Sequence, residues 1–178
     1  MDYKAVLLDR DGVINIDYGH VGTINRFKFC EGVFDALRIL KNKGCRIFVI
    51  TNQAGIAKGL FSYNDYWLLE KHIADSLLRE GVTVDGFYHC PHHPDGVVSE
   101  FSITCECRKP QPGMIINCLS DNELDAKECF LVGDKISDIK AANAAGISKT
   151  ILLSEQLNLS EITAINLLEA VNLVFDQN

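Results

Sequence analysis

Short apolar runs alternate along the chain with segments whose apolar residues recur every three or four positions. The runs Lys4–Leu8, Cys45–Ile50, Val84–His89, Cys129–Val132 and Thr150–Leu153 predict strands, the last of them the final core strand. Their near-continuous apolar character predicts a parallel sheet covered on both faces. Helical spacing predicts a helix over Val33–Lys43, with Phe34, Leu37 and Leu40 on one face and Gly44 as its stop. A longer helix opens at Ser62, where Asp65 completes a capping pattern; Tyr66, Leu69, Ile73 and Leu77 repeat along it and Gly81 ends it. Further helices are predicted from Pro112 to Leu119, from Ile136 to Ala145 before Gly146, and from Ser160 to Val171, docked on the sheet. Residues 90–110 lack periodicity and read as a loop. Strands alternating with helices give the fold class: α/β, a doubly wound, mostly parallel sheet. No repeat or linker divides the chain, so a single domain over 1–178 is expected.

Composition narrows the partners. With 17 Lys+Arg against 24 Asp+Glu the net charge is −7, which argues against nucleic acid or an anionic membrane as the main partner. The N-terminus holds only a short apolar run closed by charge, so neither a signal peptide nor a membrane span is expected, and the cytoplasm is the default address. Seven cysteines is an odd number without an export signal. Metal binding or buried thiols explain them better than a disulfide framework. Oligomeric state is not readable from the pattern, and a monomer is compatible with it.

Polar motifs follow the strands, where doubly wound sheets bind ligands. Asp9-Arg10-Asp11-Gly12 ends the first, and alternate residues near a strand end can share one pocket. Thr51-Asn52-Gln53-Ala54-Gly55 follows the second and offers a hydroxyl, amides and backbone N–H groups to an oxyanion. Gly133-Asp134-Lys135-x-x-Asp138 supplies a third acidic strand end. Carboxylates gathered there repel one another unless a cation lies between them, and hard oxygen ligands favour Mg²⁺. Asp138, one helical turn on, can orient Lys135, cap the helix or touch a ligand. Cys107-Arg108-Lys109-Pro110 brings two cations suited to anionic groups.

The loop carries its own pattern. Cys90-x-His92 and Cys105-x-Cys107 offer three thiols and one imidazole, the closed tetrahedral set of structural Zn²⁺. His89 and His93 flank the first pair, so spacing alone leaves the imidazole open. Such a centre, spanning 90–107, would pin Cys107 and aim Arg108 and Lys109. Cys30, Cys45, Cys118 and Cys129 sit in apolar contexts and read as buried small hydrophobes.

In order and spacing, Asp9-Arg10-Asp11-Gly12, Thr51-Asn52, Lys109 and Gly133-Asp134-Lys135-x-x-Asp138 resemble the four signatures of the haloacid dehalogenase (HAD) superfamily of phosphatases, over about Leu7 to Gly146. The resemblance implies Asp9 as nucleophile, Asp11 as general acid and base, and Thr51 and Lys109 as stabilisers of the transferring phosphoryl group. It implies Mg²⁺ held by Asp9, the Asp11 carbonyl and Asp134. The segments Cys90–Gly96 and Cys105–Met114 resemble the zinc-loop subfamily with a minimal cap, whose members hydrolyse heptose bisphosphates or histidinol phosphate. This places the zinc imidazole at His92. It also implies substrate contacts from Arg10, Asp17, Gly19, His20, Asn52, Gln53, Ala54, Arg108 and Lys135. His20 stands where that subfamily commonly has Tyr. Arg108 suits the phosphate that is not cleaved, so a sugar bisphosphate is the expected small-molecule substrate, and Asp17 suits the amine of histidinol phosphate. A receiver-like phospho-acceptor also uses strand-end Asp residues, Mg²⁺ and a Lys, but a general base at Asp11 would hasten loss of its phosphate.

Overall fold

The computed structural model describes residues 3–154 and 161–175. Five strands run β1 (Ala5–Leu8), β2 (Arg46–Asn52), β3 (Gly86–Cys90), β4 (Cys129–Gly133) and β5 (Lys149–Leu153), with a two-residue β6 (Thr163–Ala164). They form one sheet in the order β3-β2-β1-β4-β5-β6, and every pairing is parallel. The helices are α1 (Val33–Asn42), α2 (Ala54–Ala57), α3 (Tyr63–Arg79), α4 (Gly113–Asp121), α5 (Ile136–Ala144) and α6 (Leu167–Phe175). The parallel α/β sheet is the expected fold class.

Strand alternation divides the core between two faces. Val6, Leu8, Ile47, Val49, Phe130, Val132 and Ile151 pack with α1, α3 and α6 on one side. Ala5, Leu7, Phe48, Ile50, Leu131 and Leu152 pack with α4 and α5 on the other. With both faces covered, the strands are apolar almost throughout, as their sequences require. Ser62 caps α3 by accepting the Asp65 amide at 3.1 Å, while Asp65 accepts the Ser62 N–H at 2.8 Å. Among the four remaining cysteines, Cys45, Cys118 and Cys129 are buried. Cys30 is a correction: it is only partly covered, at the rim of the core.

Several boundaries shift. β2 runs two residues beyond Ile50, so Thr51 and Asn52 still belong to the ladder. The third strand begins at Gly86 rather than Val84, because Asp85 accepts the Ile47 amide on its own carboxylate. The segment after Asn52 forms a one-turn helix, α2, for which no helical period is legible in so few residues. Thr150–Leu153 is not the last strand, since Thr163–Ala164 pairs with Leu152–Leu153. The Ser160–Val171 helix is corrected: its start lies outside the described residues, and α6 begins at Leu167 and runs to Phe175. Ile165 N–H donates to Glu169 and Glu169 N–H to Asn166, so the polar Asn166 starts the helix six residues later than apolar spacing suggests.

Candidate active site and metal centre

The chain turns in opposite directions from β1 and β4, which lie side by side in the sheet. The crevice at their C-terminal ends is where such a sheet binds ligands. Asp9 leaves β1 there, and Asp134 leaves β4. Asp9, Asp134 and Asp138 each bring a carboxylate oxygen within 4.8 Å of the others.

Two glycines permit this approach. Gly12 has φ +90°, and a Cβ on it would lie 2.4 Å from an Asp134 oxygen. A Cβ on Gly133 would lie 2.4 Å from the Cβ of Asp138. Neither position has room for a side chain.

Lys109 is buried against two of these acids. Its Nζ donates to Asp9 Oδ1 at 2.8 Å and to the Ile50 carbonyl at 2.8 Å, and lies 2.7 Å from Asp138 Oδ1. Burial works against its charge, but the carboxylates of Asp9 and Asp138 outweigh burial and hold its pKa above the ordinary lysine value. Asp138 therefore serves Lys109, while its other oxygen accepts the backbone N–H of Lys135 at 3.0 Å. Its position one turn into α5 was a signal, but its partner lies 29 residues back in another loop.

Asp134 shows what this acidic corner lacks. Its Oδ1 is buried without a hydrogen-bond partner. Burial first, then the charge of Asp9, raises its pKa to about 7. A divalent cation bound by oxygen would supply both the partner and the charge, so the donor set fits one.

Asp11 stands outside that three-acid cluster but lines the same pocket as Asp9, Thr51 and Lys109. Its carboxylate accepts Arg10 Nη2 at 2.6 Å, Asn15 Nδ2 at 3.0 Å and Gln53 Nε2 at 3.0 Å. The side chain of Arg10, expected to contact substrate, lines neither this pocket nor the cleft above it. It is wholly buried, also donates to the Val21 carbonyl, and lies over the Tyr66 ring at 5.9 Å. Strand alternation hinted at this, since Arg10 falls between two residues that face the pocket. Gln53 donates to both Asp11 and Thr51 Oγ1. Asn52 joins its amide to the backbone of Lys109 on both sides, at 3.0 and 3.1 Å. Asn52 thus holds Lys109 in place and Gln53 holds Asp11 and Thr51, while both also line the cleft.

Above this corner a cleft of about 590 Å³ is lined by Asp11, Asp17, Gly19, His20, Asn52, Gln53, Ala54, Arg108, Lys109 and Lys135, with Pro110 and Ser137 as additions. Lys135 Nζ lies 3.2 Å from Asp17 and 3.5 Å from Asp134. Burial opposes the Lys135 charge, but Asp134 and Asp17 raise its pKa. Although burial works the other way, the Gly19 N–H and Lys135 hold the Asp17 carboxyl below its ordinary range. Burial and the nearby Lys58 charge hold His20 below the usual imidazole value.

The second centre is the loop. The sulfurs of Cys90, Cys105 and Cys107 lie 3.1–3.5 Å apart, and His92 Nδ1 is 3.4 Å from Cys107 and 3.6 Å from Cys90. A tetrahedron with bonds of ~2.3 Å has edges of about 3.8 Å, a few tenths of an ångström longer than these separations, so the cluster can close on a metal such as zinc. His89 instead bonds Tyr63 at 2.8 Å, and His93 accepts the Asp95 amide at 3.1 Å. Of the three imidazoles, only His92 joins the sulfurs. Arg108 follows directly and donates to the His92 carbonyl at 3.3 Å.

Comparisons with known proteins agree with this layout. Residues 106–169 match the family described as HAD-hydrolase-like. The D-glycero-beta-D-manno-heptose-1,7-bisphosphate 7-phosphatase of Yersinia pestis is 48% identical over 149 residues, 84% of this chain and 79% of that protein. The enzyme of the same name from Haemophilus influenzae is 43% identical over 150 residues, 84% of this chain and 81% of its own. Among solved structures, the D,D-heptose 1,7-bisphosphate phosphatase of B. bronchiseptica, complexed with magnesium and phosphate, superposes with a TM-score of 0.86. It shares 27% identity, and the match covers 98% of this chain and 99% of that one. With an acidic corner, a buried lysine and a Cys/His loop in the arrangement the motifs require, and relatives this close over most of its length, the chain belongs to the heptose-bisphosphate phosphatase family of HAD-like hydrolases.

Proposed function

We propose that this phosphatase removes the 7-phosphate of D-glycero-D-manno-heptose 1,7-bisphosphate through an aspartyl-phosphate on Asp9, feeding heptose precursors to lipopolysaccharide or related glycoconjugates. The observation that carries the reading is Asp9 at the β1 end, held by Lys109 and facing the partnerless oxygen of Asp134. Mg²⁺ held by Asp9, the Asp11 carbonyl and Asp134 would neutralise charge between the carboxylate and the incoming phosphate.

A free Asp9 oxygen attacks phosphorus in line. The bond from phosphorus to the sugar oxygen breaks, and Asp11, as general acid, delivers a proton to that oxygen. Water then attacks the aspartyl-phosphate, Asp11 takes its proton, and phosphate leaves with Asp9 restored. Thr51 and Lys109 stabilise the phosphoryl oxygens. Gln53 donates to the Thr51 oxygen, which leaves the hydroxyl proton to face the phosphate. Arg10, Asn15 and Gln53 orient Asp11.

Selectivity rests on the cleft above. Arg108 anchors the 1-phosphate, and Asp17, His20 and the Gln53–Ala54 turn meet the sugar. Arg108→Ala is expected to raise KM for the bisphosphate about tenfold or more, with a smaller effect on kcat. Steady-state kinetics on the bisphosphate and on a matching monophosphate check this; equal losses on both would remove Arg108 from the distal phosphate.

Zinc in the Cys90, His92, Cys105, Cys107 cluster has a structural role, holding Arg108 and Lys109 toward the cleft. Cys105→Ala is expected to lower bound zinc and reduce activity together. Metal analysis and a rate assay on the same sample test it, and full zinc content in that variant would refute the four-ligand set.

No helix among the described residues is long and apolar enough to cross a membrane, and the substrate proposed is a small sugar phosphate. We place the enzyme in the cytoplasm, where a single chain carries every residue invoked. The experiment that tests the function is phosphate release with Mg²⁺ from both anomers of heptose 1,7-bisphosphate and from histidinol phosphate. A large kcat/KM advantage for a heptose anomer supports the reading. A preference for histidinol phosphate overturns the substrate, keeps the chemistry and recasts Asp17 as the partner of the amine.

A further inference from the structure

The segment carrying Asp17, Gly19 and His20 into the cleft is conformationally costly. Gly19 has φ +74°, and His20 follows with φ +49°, a left-handed conformation in a residue with a side chain. Two successive left-handed residues must be held by something outside themselves. From within, Asp17 Oδ1 accepts the Gly19 N–H at 2.8 Å. From without, one side chain does the rest. Arg26, the last residue of a short 3-10 turn (Ile24–Arg26), donates to the carbonyls of Tyr18 at 3.0 Å, Gly19 at 3.1 Å and His20 at 3.3 Å.

A guanidinium is suited to this task, because its rigid planar fork can reach several carbonyls at once where an ammonium is a point charge. Arg26 does not line the cleft and has no carboxylate partner among the salt bridges of the described residues. Its visible engagement is with the three carbonyls of the loop.

We propose that Arg26 is a positioning residue for substrate selection: it holds the Tyr18–His20 backbone in the conformation that presents Asp17 and His20 to the sugar. The inference rests on the substrate reading above. The contacts are exposed, so each bond is modest, but the loop needs all three to keep its left-handed pair. The catalytic corner makes none of these contacts. A small aryl phosphate reaches Asp9 without needing the loop, so Arg26 acts on selection rather than on chemistry.

The test compares wild type with Arg26→Ala and Arg26→Lys, substitutions at an exposed position outside the core. Amide hydrogen exchange across residues 15–27 is measured first, in the free protein. Arg26→Ala is expected to speed exchange there, and unchanged exchange would overturn the proposal whatever the substrate. Kinetics follow on heptose bisphosphate and on p-nitrophenyl phosphate. The expected result for Arg26→Ala is a loss of about tenfold in kcat/KM for the bisphosphate, mainly in KM, against less than about twofold for the aryl phosphate. Arg26→Lys should fall between the two, and in a His20→Ala background the Arg26→Ala loss should shrink. Equal losses on both substrates would reveal a general structural role and overturn the inference, as would no loss on either. If wild type itself shows no preference for the bisphosphate, the substrate reading fails, and the exchange measurement still decides whether Arg26 holds the loop.

Discussion

Replacing Asp9 with asparagine is expected to lower kcat by about 10⁴-fold or more while the chain stays folded. The amide keeps the shape of the carboxylate but cannot form the phosphorylated intermediate. Folding should survive because Lys109 keeps two of its acceptors, Asp138 and the Ile50 carbonyl. The substitution also removes a charge that works against Asp134, whose pKa is raised to about 7 by burial and by Asp9. Loss of the buried Asp9–Lys109 pair and relief of the repulsion between Asp9 and Asp134 oppose each other. Only a small change in melting temperature is therefore expected without divalent cation, and circular dichroism with thermal melting checks this. Residual turnover within about tenfold of wild type would remove Asp9 from the nucleophile's role.

Lys109→Met should damage stability and chemistry together. The ammonium is buried between Asp9 and Asp138, with about 2% of its side chain exposed. Removing it leaves buried carboxylates without their counter-charge, a change that costs about 3–5 kcal/mol when one partner of a buried pair is deleted. It also removes a donor to the phosphoryl group, which commonly costs about 10²–10³ in kcat. The two effects separate in the double variant Lys109→Met, Asp138→Asn. Removing the orphaned acid should recover much of the lost stability in urea titrations and none of the lost rate. Recovery of rate along with stability would show that Lys109 acts on the fold alone.

The central strands and the motifs at their ends were legible because both rest on local rules. A strand buried on both faces must be apolar, and the residues that leave it must be polar if a ligand sits there. Alternation also held a signal for the inward turn of Arg10, but the resemblance placed that residue against substrate. Distant pairings left no such trace. Nothing near Asp138 announces that it will meet Lys109, and nothing near Arg26 announces three carbonyls six to eight residues back. The sixth strand escaped because two residues are too few for a period. Helix α6 was placed early because apolar spacing ran ahead of the residue that starts it, Asn166.

The sheet order has a further consequence, for how such an enzyme can change. The acids of the catalytic corner leave β1 and β4, at the centre of the sheet, and Gly12 packs too closely against Asp134 for either neighbour to vary alone. The residues proposed to meet the rest of the substrate line the cleft from loops at the rim, the segment around His20 and the Cys/His loop with Arg108. Variation can therefore accumulate at the rim without disturbing the reaction at the centre. A lineage could exchange one phosphorylated metabolite for another by remodelling two loops, inheriting the phosphoryl-transfer machinery unaltered.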